Sequence, residues 1–156
     1  MSMWEDIEEF HMQFGIPQTV TPSVKENEKM MEFRIMFLRE ELQEFEMAVE
    51  AGHTVEAFDA LLDLVYVAIG TAYLCNFPWD KGWDVVHAAN MMKRKVKNED
   101  ESKRQSEYDV IKPDGWVAPD LALHAWLLFH QYELQMKKFR QLNEIHEHVE
   151  DEICEL

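Results

Sequence analysis

Glycine and proline are scarce in this chain, five of each in 156 residues. Long stretches free of both favour helices, and no apolar alternation runs far enough to be read as a strand. Cysteine is scarcer still. Cys75 and Cys154 lie far apart and form no metal-spaced pair, which excludes a thiolate zinc site and reads as two reduced thiols in a cytoplasmic protein. Basic residues are few: 15 against 31 acidic ones, a formal net charge of −16. Such a surface repels phosphate backbones, so no nucleic-acid partner is expected. The N-terminal Met-Ser-Met-Trp-Glu-Asp has neither a basic nor an apolar leader region, so no signal peptide is expected. No apolar run is read as approaching the roughly 20 residues of a membrane span, so no membrane partner is expected either. Neither a Ser–His–Asp nor a Cys–His set is evident.

What is present is a folded, acidic chain. Apolar residues make up 47 %, enough for one domain with a core of its own. The carboxylate excess suits hard cations, whose preferred ligands are oxygens.

The layout reads as helices throughout. Ser2 and Glu5 have capping-box spacing and open a first helix through Ile7, Phe10 and Phe14, ended by Gly15 and Pro17. Thr21 before Pro22 is a start signal for a long helix from about Ser23 to Ala51, stopped by Gly52. Its seam is expected along Met31, Ile35, Leu38, Leu42, Phe45 and Val49, alternating four and three as in a bundle. Thr54 caps a third helix to about Cys75, with Phe58, Leu61, Leu62, Val65, Ile69 and Ala72 as its buried side. A fourth runs from Asp80 through Trp83, Val86, Ala89 and Met92 into the basic cluster Lys93, Arg94, Lys95 and Lys97. Residues 98–119 read as a long loop, and such loops are often functional. From Asp120 a long C-terminal helix is expected. Tyr132, Phe139, Leu142, Val149 and Ile153 trace a partial seven-residue seam, suited to packing or to a partner subunit. The division expected is a domain over residues 1–120 and a helical extension over 121–156.

Certain carboxylates sit where apolar residues belong. The second helix carries another stripe, Met30, Phe33, Phe37, Glu41, Glu44, Ala48, in which two glutamates one turn apart interrupt an apolar line. Asp63 is set in Leu61-Leu62-Asp63-Leu64-Val65-Tyr66-Val67, and Glu56, Asp59 and Asp63 share a face of the third helix. Burying a lone carboxylate costs several kcal/mol unless a positive charge offsets it. Only Arg39 lies near in sequence, so a divalent cation is the economical partner. An antiparallel pair of helices joined at Gly52–His53 would set Glu41 and Glu44 at the depth of Asp59 and Asp63. Glutamate-rich helices usually present solvated faces, and Glu40, Glu46 and Glu50 include such residues.

These segments resemble a known family. Glu40-Glu41-Leu42-Gln43-Glu44 looks like the EExxE half of the signature of MazG-type nucleoside triphosphate pyrophosphohydrolases. Asp59 to Gly70 resembles the second half and its tail. Val85 to Lys93 and Ile111 to Trp116, ending at Pro119-Asp120, continue the likeness. It covers roughly residues 3–121 and extends to the stand-alone phosphoribosyl-ATP pyrophosphohydrolase-like members, many of them from phages. Any one piece is weak; four in order are strong.

The resemblance implies an all-α, four-helix-bundle core with Mg2+ (Mn2+ as a possible substitute) between the two motif helices. Glu41 and Glu44 match the metal-binding glutamates, Asp63 the aspartate of the second half, and Glu40 a glutamate that holds a further metal or orients water. The usual second half is ExxD, and Ala60 stands three before Asp63. Either Asp59 substitutes, with Glu56 behind it, or Glu56 and Asp59 form the motif themselves; we favour Asp59 with Asp63. The implied activity is Mg2+-dependent hydrolysis of a (deoxy)nucleoside triphosphate to monophosphate and pyrophosphate, for pool control or house-cleaning, in a homodimer or homotetramer. Glu40 or Glu44 would take the water proton. Asn90 and Lys93 would meet sugar and phosphate, and Lys112 and Trp116 would fold over the site. Phe10, His11, Phe14 or Tyr66 would lie against the base, while His87 is read as a core histidine. Lys95 and Lys97 read as a helix C-terminus that favours cations. Competing readings are a base-selective dUTPase or dCTPase, a phosphoribosyl-ATP hydrolase, and a non-enzymatic acidic adaptor that binds no metal.

Overall fold

The computed structural model describes residues 2–122 and Gln135; the expected C-terminal helix lies outside the described residues. The fold is all-α, with four helices: α1 (Met3–Gln13), α2 (Glu28–Ala51), α3 (Thr54–Leu74) and α4 (Trp79–Met91). The chain divides into two compact units, residues 1–83 and 84–156.

In the first unit α1 begins as expected. Ser2 Oγ accepts from the Glu5 amide at 3.3 Å, and the Ser2 amide donates to Glu5 Oε2 at 2.6 Å. The start of α2 differs from expectation. It lies at Glu28, and Asn27, not Thr21, is the cap, its side chain accepting from the Met30 amide at 3.0 Å. The segment before it is held otherwise: the amides of Thr19 and Ser23 donate to the carbonyls of Leu74 and Cys75 at 2.8 and 3.2 Å. The Thr21–Pro22 region thus caps the end of α3 rather than opening α2. Gly52 stops α2 with φ of 71°, and the His53 amide reaches back to Ala48 O at 2.9 Å, a left-handed cap that favours glycine. Thr54 is the first residue of α3 and not its cap; His53 holds that position without a side-chain bond.

The two-residue turn folds α3 back along α2, which places Met31 against Cys75 and Arg34 against Val67 and Thr71. The seam differs from the expected one. The buried residues of α2 are Arg34, Glu41 and Ala48, flanked by half-buried Met30, Met31, Phe37, Leu38 and Phe45, while Ile35, Leu42 and Val49 are exposed. On α3, Ile69 and Ala72 are buried as expected, with Ala60, Val67, Gly70, Tyr73 and Leu74. Phe58, Leu61, Leu62 and Val65 are exposed instead, Phe58 by 63 %. The reason is that α3 is apolar on nearly every side, so periodicity alone does not choose which side meets α2. Its most apolar stretch has a mean hydropathy of 1.5, and the helix is long and apolar enough to cross a membrane. That run was not anticipated, though it contacts α1 and α2 as a core helix does. The core is Ile7, Ile69, Tyr73 and Leu74, with Trp4, Met30 and Trp79 packed against it.

Gly70 is needed for close approach. A Cβ there would meet Arg34 Nη2 at 2.9 Å and His11 Cε1 at 3.1 Å. Gly70→Ala is therefore expected to cost about 1–3 kcal/mol, the range for overpacking, and thermal melting measures it.

In the second unit two short antiparallel strands appear where none was expected: β1 (Arg94–Lys95) pairs with β2 (Val110–Ile111). The basic cluster therefore leaves the helix before Arg94. The loop between the strands is tied rather than open. Arg94 pairs with Glu101 at 2.9 Å. Ser102 Oγ donates to Asp109 at 2.7 Å and Arg104 to the same carboxylate at 2.8 Å. On α4 only Ala89 is buried; Trp83 is exposed, and Met92, which the helix was expected to include, lies exposed just beyond its end. His87 is exposed rather than in a core.

Candidate active site

The acid site is built by α2 and α3. Glu41 lies on the buried side of α2, 7 % exposed, and its Oε2 has no hydrogen-bond partner among the described residues. The Glu41 carboxyl is held above its ordinary value, first by burial and then, in decreasing order, by Glu44, Asp63, Glu40 and Asp59. Acids from both helices therefore act on one carboxylate. The ion pairs seen among the described residues are His53–Glu56, Arg94–Glu101 and Arg104–Asp109. None neutralises the five acids.

Glu40, Glu44, Asp59 and Asp63 are exposed. Among the described residues no three carboxylate, imidazole or thiol groups stand close enough together to hold a metal ion. The donor set nonetheless fits a hard divalent cation by its chemistry. It consists of carboxylate oxygens, one of them buried, and among the described residues no ammonium or guanidinium is paired with them. Glu56 is engaged elsewhere, its carboxylate 3.0 Å from His53 Nδ1 at the exposed start of α3.

The aromatic candidates of the first unit divide. Phe10 lies 4.8 Å from Phe14 and 5.5 Å from Tyr66 between ring centroids, and all three are exposed. They form a surface able to stack a planar base. His11 is buried, with Nδ1 2.7 Å from Ile7 O, its ring 4.9 Å from that of Tyr73, and Nε2 without a hydrogen-bond partner among the described residues. Burial draws its pKa below the ordinary 6.5 despite the Ile7 bond, and Arg34 adds to the lowering. Folded His11 therefore takes up its proton at a lower pH than it does in the unfolded chain. Its contribution to stability is complete above pH 6.5 and is lost as pH falls from there to the folded value. Melting scans from pH 7.5 downward are expected to show this loss (flattened in His11→Gln).

In the second unit, Trp116 Nε1 donates to Ala89 O at 2.8 Å, and the Lys112 ammonium lies 4.2 Å from the Trp116 ring centroid. This ties Lys112 and Trp116 to the end of α4, where the Lys93 amide donates to Asn90 O at 3.0 Å. These four sequence candidates are thus neighbours within that unit.

Sequence reasoning missed Arg34, a buried arginine whose pKa burial lowers. The available signal was its place seven residues before Glu41, between Phe33 and Ile35.

Residues 7–90, more than half of the chain, match the family model described as phosphoribosyl-ATP pyrophosphohydrolase. The matched span contains all five acids. Comparison with curated proteins gives no match.

Proposed function

This chain belongs to the phosphoribosyl-ATP pyrophosphohydrolase family and is a pyrophosphohydrolase of nucleotide-like substrates; from that premise we propose that it cleaves the α–β phosphoanhydride of (deoxy)nucleoside triphosphates. The observation that carries this reading is Glu41, buried, with one oxygen unpartnered among the described residues and its pKa raised first by burial and then by four neighbouring acids. Glu41, Glu44, Asp59 and Asp63 would hold Mg2+, or Mn2+ in its place. When bound, the cation supplies charge neutralisation on the triphosphate and a more acidic water.

The chain's own residues account for the rest. Glu40 or Glu44, exposed beside Glu41, accepts the proton of the attacking water. No covalent nucleophile is required, and water enters as one reactant to give monophosphate and pyrophosphate. Phe10, Phe14 and Tyr66 offer ring faces to the base. Lys93 and Lys112 keep their reading as phosphate-binding cations, with Asn90 on the sugar and Trp116 beside Lys112, on their chemistry alone. The exposed apolar side of α3 supports assembly as a homodimer or homotetramer.

The matched family favours a second substrate, phosphoribosyl-ATP, cut at the same bond. A panel of nucleoside and deoxynucleoside triphosphates and phosphoribosyl-ATP, followed by pyrophosphate release, separates the two readings. With Mg2+ or Mn2+ at least one substrate is expected to turn over, and with excess chelator none. Turnover undiminished by chelator would end the cation reading.

A further inference from the structure

Two of the three residues that α2 buries are charged: Arg34, Glu41 and Ala48 follow one another at intervals of seven. Arg34 and Glu41 therefore share a face, about 10 Å apart along the axis, too distant for an ion pair. For stability alone, apolar residues of similar volume serve a buried position at least as well as charged ones. Here the cation and the acid stay separate, and no carboxylate among the described residues pairs with Arg34.

The guanidinium is engaged with α3. Nη2 donates to Val67 O at 2.6 Å and Nε to Thr71 Oγ1 at 3.0 Å. Thr71 Oγ1 in turn donates to Val67 O at 2.7 Å. The Phe37 ring lies 5.5 Å from the guanidinium carbon, and the missing side chain of Gly70 makes room for Nη2. Val67 stands one turn beyond Asp63 on the same side of α3.

We infer that Arg34 is a positioning residue for the acid site: its two bonds to Val67 and Thr71 fix the register of α2 along α3 and hold Glu41 toward Asp59 and Asp63. A slip of one residue moves a helix by 1.5 Å and turns its side chains by about 100°. Such a turn would take Glu41 out of the shared focus. The planar fork of arginine presents donors in fixed directions, whereas a lysine ammonium is a single point of charge. The inference rests on the cation-site reading above.

The test uses the full chain and the variants Arg34→Met, Arg34→Lys and Thr71→Val. The readouts are Mn2+ binding by electron paramagnetic resonance, kcat and KM with the best substrate, far-ultraviolet circular dichroism and melting. Arg34→Met is expected to keep its helical signal yet lose Mn2+ affinity and kcat by about tenfold or more, the usual cost of disturbing a group that orients a metal ligand. Arg34→Lys is expected to resemble Arg34→Met, because charge without the fork does not set the register. Thr71→Val, which leaves the charge untouched, is expected to show a smaller loss in the same direction.

If Arg34→Met binds Mn2+ like the wild type, the inference fails while the cation site stands. If Arg34→Lys restores wild-type binding, Arg34 acts by charge and not by position, and the inference also fails. If Arg34→Met does not fold, Arg34→Lys and Thr71→Val decide it by the same comparison. A wild-type chain that neither binds Mn2+ nor hydrolyses any nucleotide removes the cation site, and this inference with it.

Discussion

Glu41→Gln is expected to lower nucleotide hydrolysis by about a thousandfold, the scale of several kcal/mol of lost metal-assisted stabilisation, while the metal-free protein melts no lower than the wild type. The two halves of this result come from one cause. Glu41 is the acid that the fold has taken out of water, with one oxygen left unpartnered. Burial and the fields of Glu44, Asp63, Glu40 and Asp59 oppose its ionisation. A carboxyl whose folded pKa lies above its unfolded value binds more protons when folded. Its contribution is full below the ordinary 4.5 and is lost as pH rises through the raised folded value. Once pH has risen through that value the charge is a burden on the metal-free fold, and the neutral amide relieves it. Single-turnover kinetics with Mg2+ and melting in chelator at pH 5 and pH 8 would check both halves. A Glu41→Gln protein that hydrolyses like the wild type would remove Glu41 from the site.

On the proposed assembly through α3, Leu62→Glu is expected to leave the chain a monomer. Leu62 is one of a set on α3, with Val55, Phe58, Leu61 and Val65, exposed in the single chain. An apolar set of this size is the usual mark of an interface. Burying each such side chain is worth roughly 1.5–3 kcal/mol, and a buried unpaired carboxylate costs several more. Two-fold symmetry applies the change twice. The product is a weakening of association by about a thousandfold or more. Light scattering coupled to size exclusion, across a hundredfold range of concentration, would show it. A wild-type chain that is monomeric throughout that range overturns the assembly.

The two predictions show which parts of the molecule were legible in the sequence. The start of α1 and the stops of α1 and α2 were, because Ser2 with Glu5, Gly15 and Gly52 act through local backbone chemistry that a few residues specify; the start of α2 and the stop of α4 were not. The burial of Glu41 was, because a carboxylate inside an apolar stripe violates the pattern around it; Glu44 and Asp63, read from the same signal, lie exposed instead. The side of α3 that meets α2 was not. Phe58, Leu61 and Leu62 look as inward as Ile69, and only the small residues Ala60 and Gly70, which let the helices approach, separate the two sides. Arg34 was missed for a related reason. Its partners are a main-chain carbonyl and a threonine hydroxyl 33 and 37 residues away, and no sequence spacing advertises them. The strands β1 and β2 were too short, at two residues each, to show alternation.

The two-residue turn at Gly52–His53 has a kinetic consequence. Closing so small a loop costs little chain entropy, and contacts near in sequence form quickly. The α2–α3 hairpin is thus placed to form early during folding, with α1 docking on it afterwards. Glu41 and its neighbouring acids would meet in that first event, so their repulsion is felt by the nucleus itself. Amide exchange in chelator should then find the hairpin next to the turn, where Ala48 and Ala60 are buried, among the last places to open.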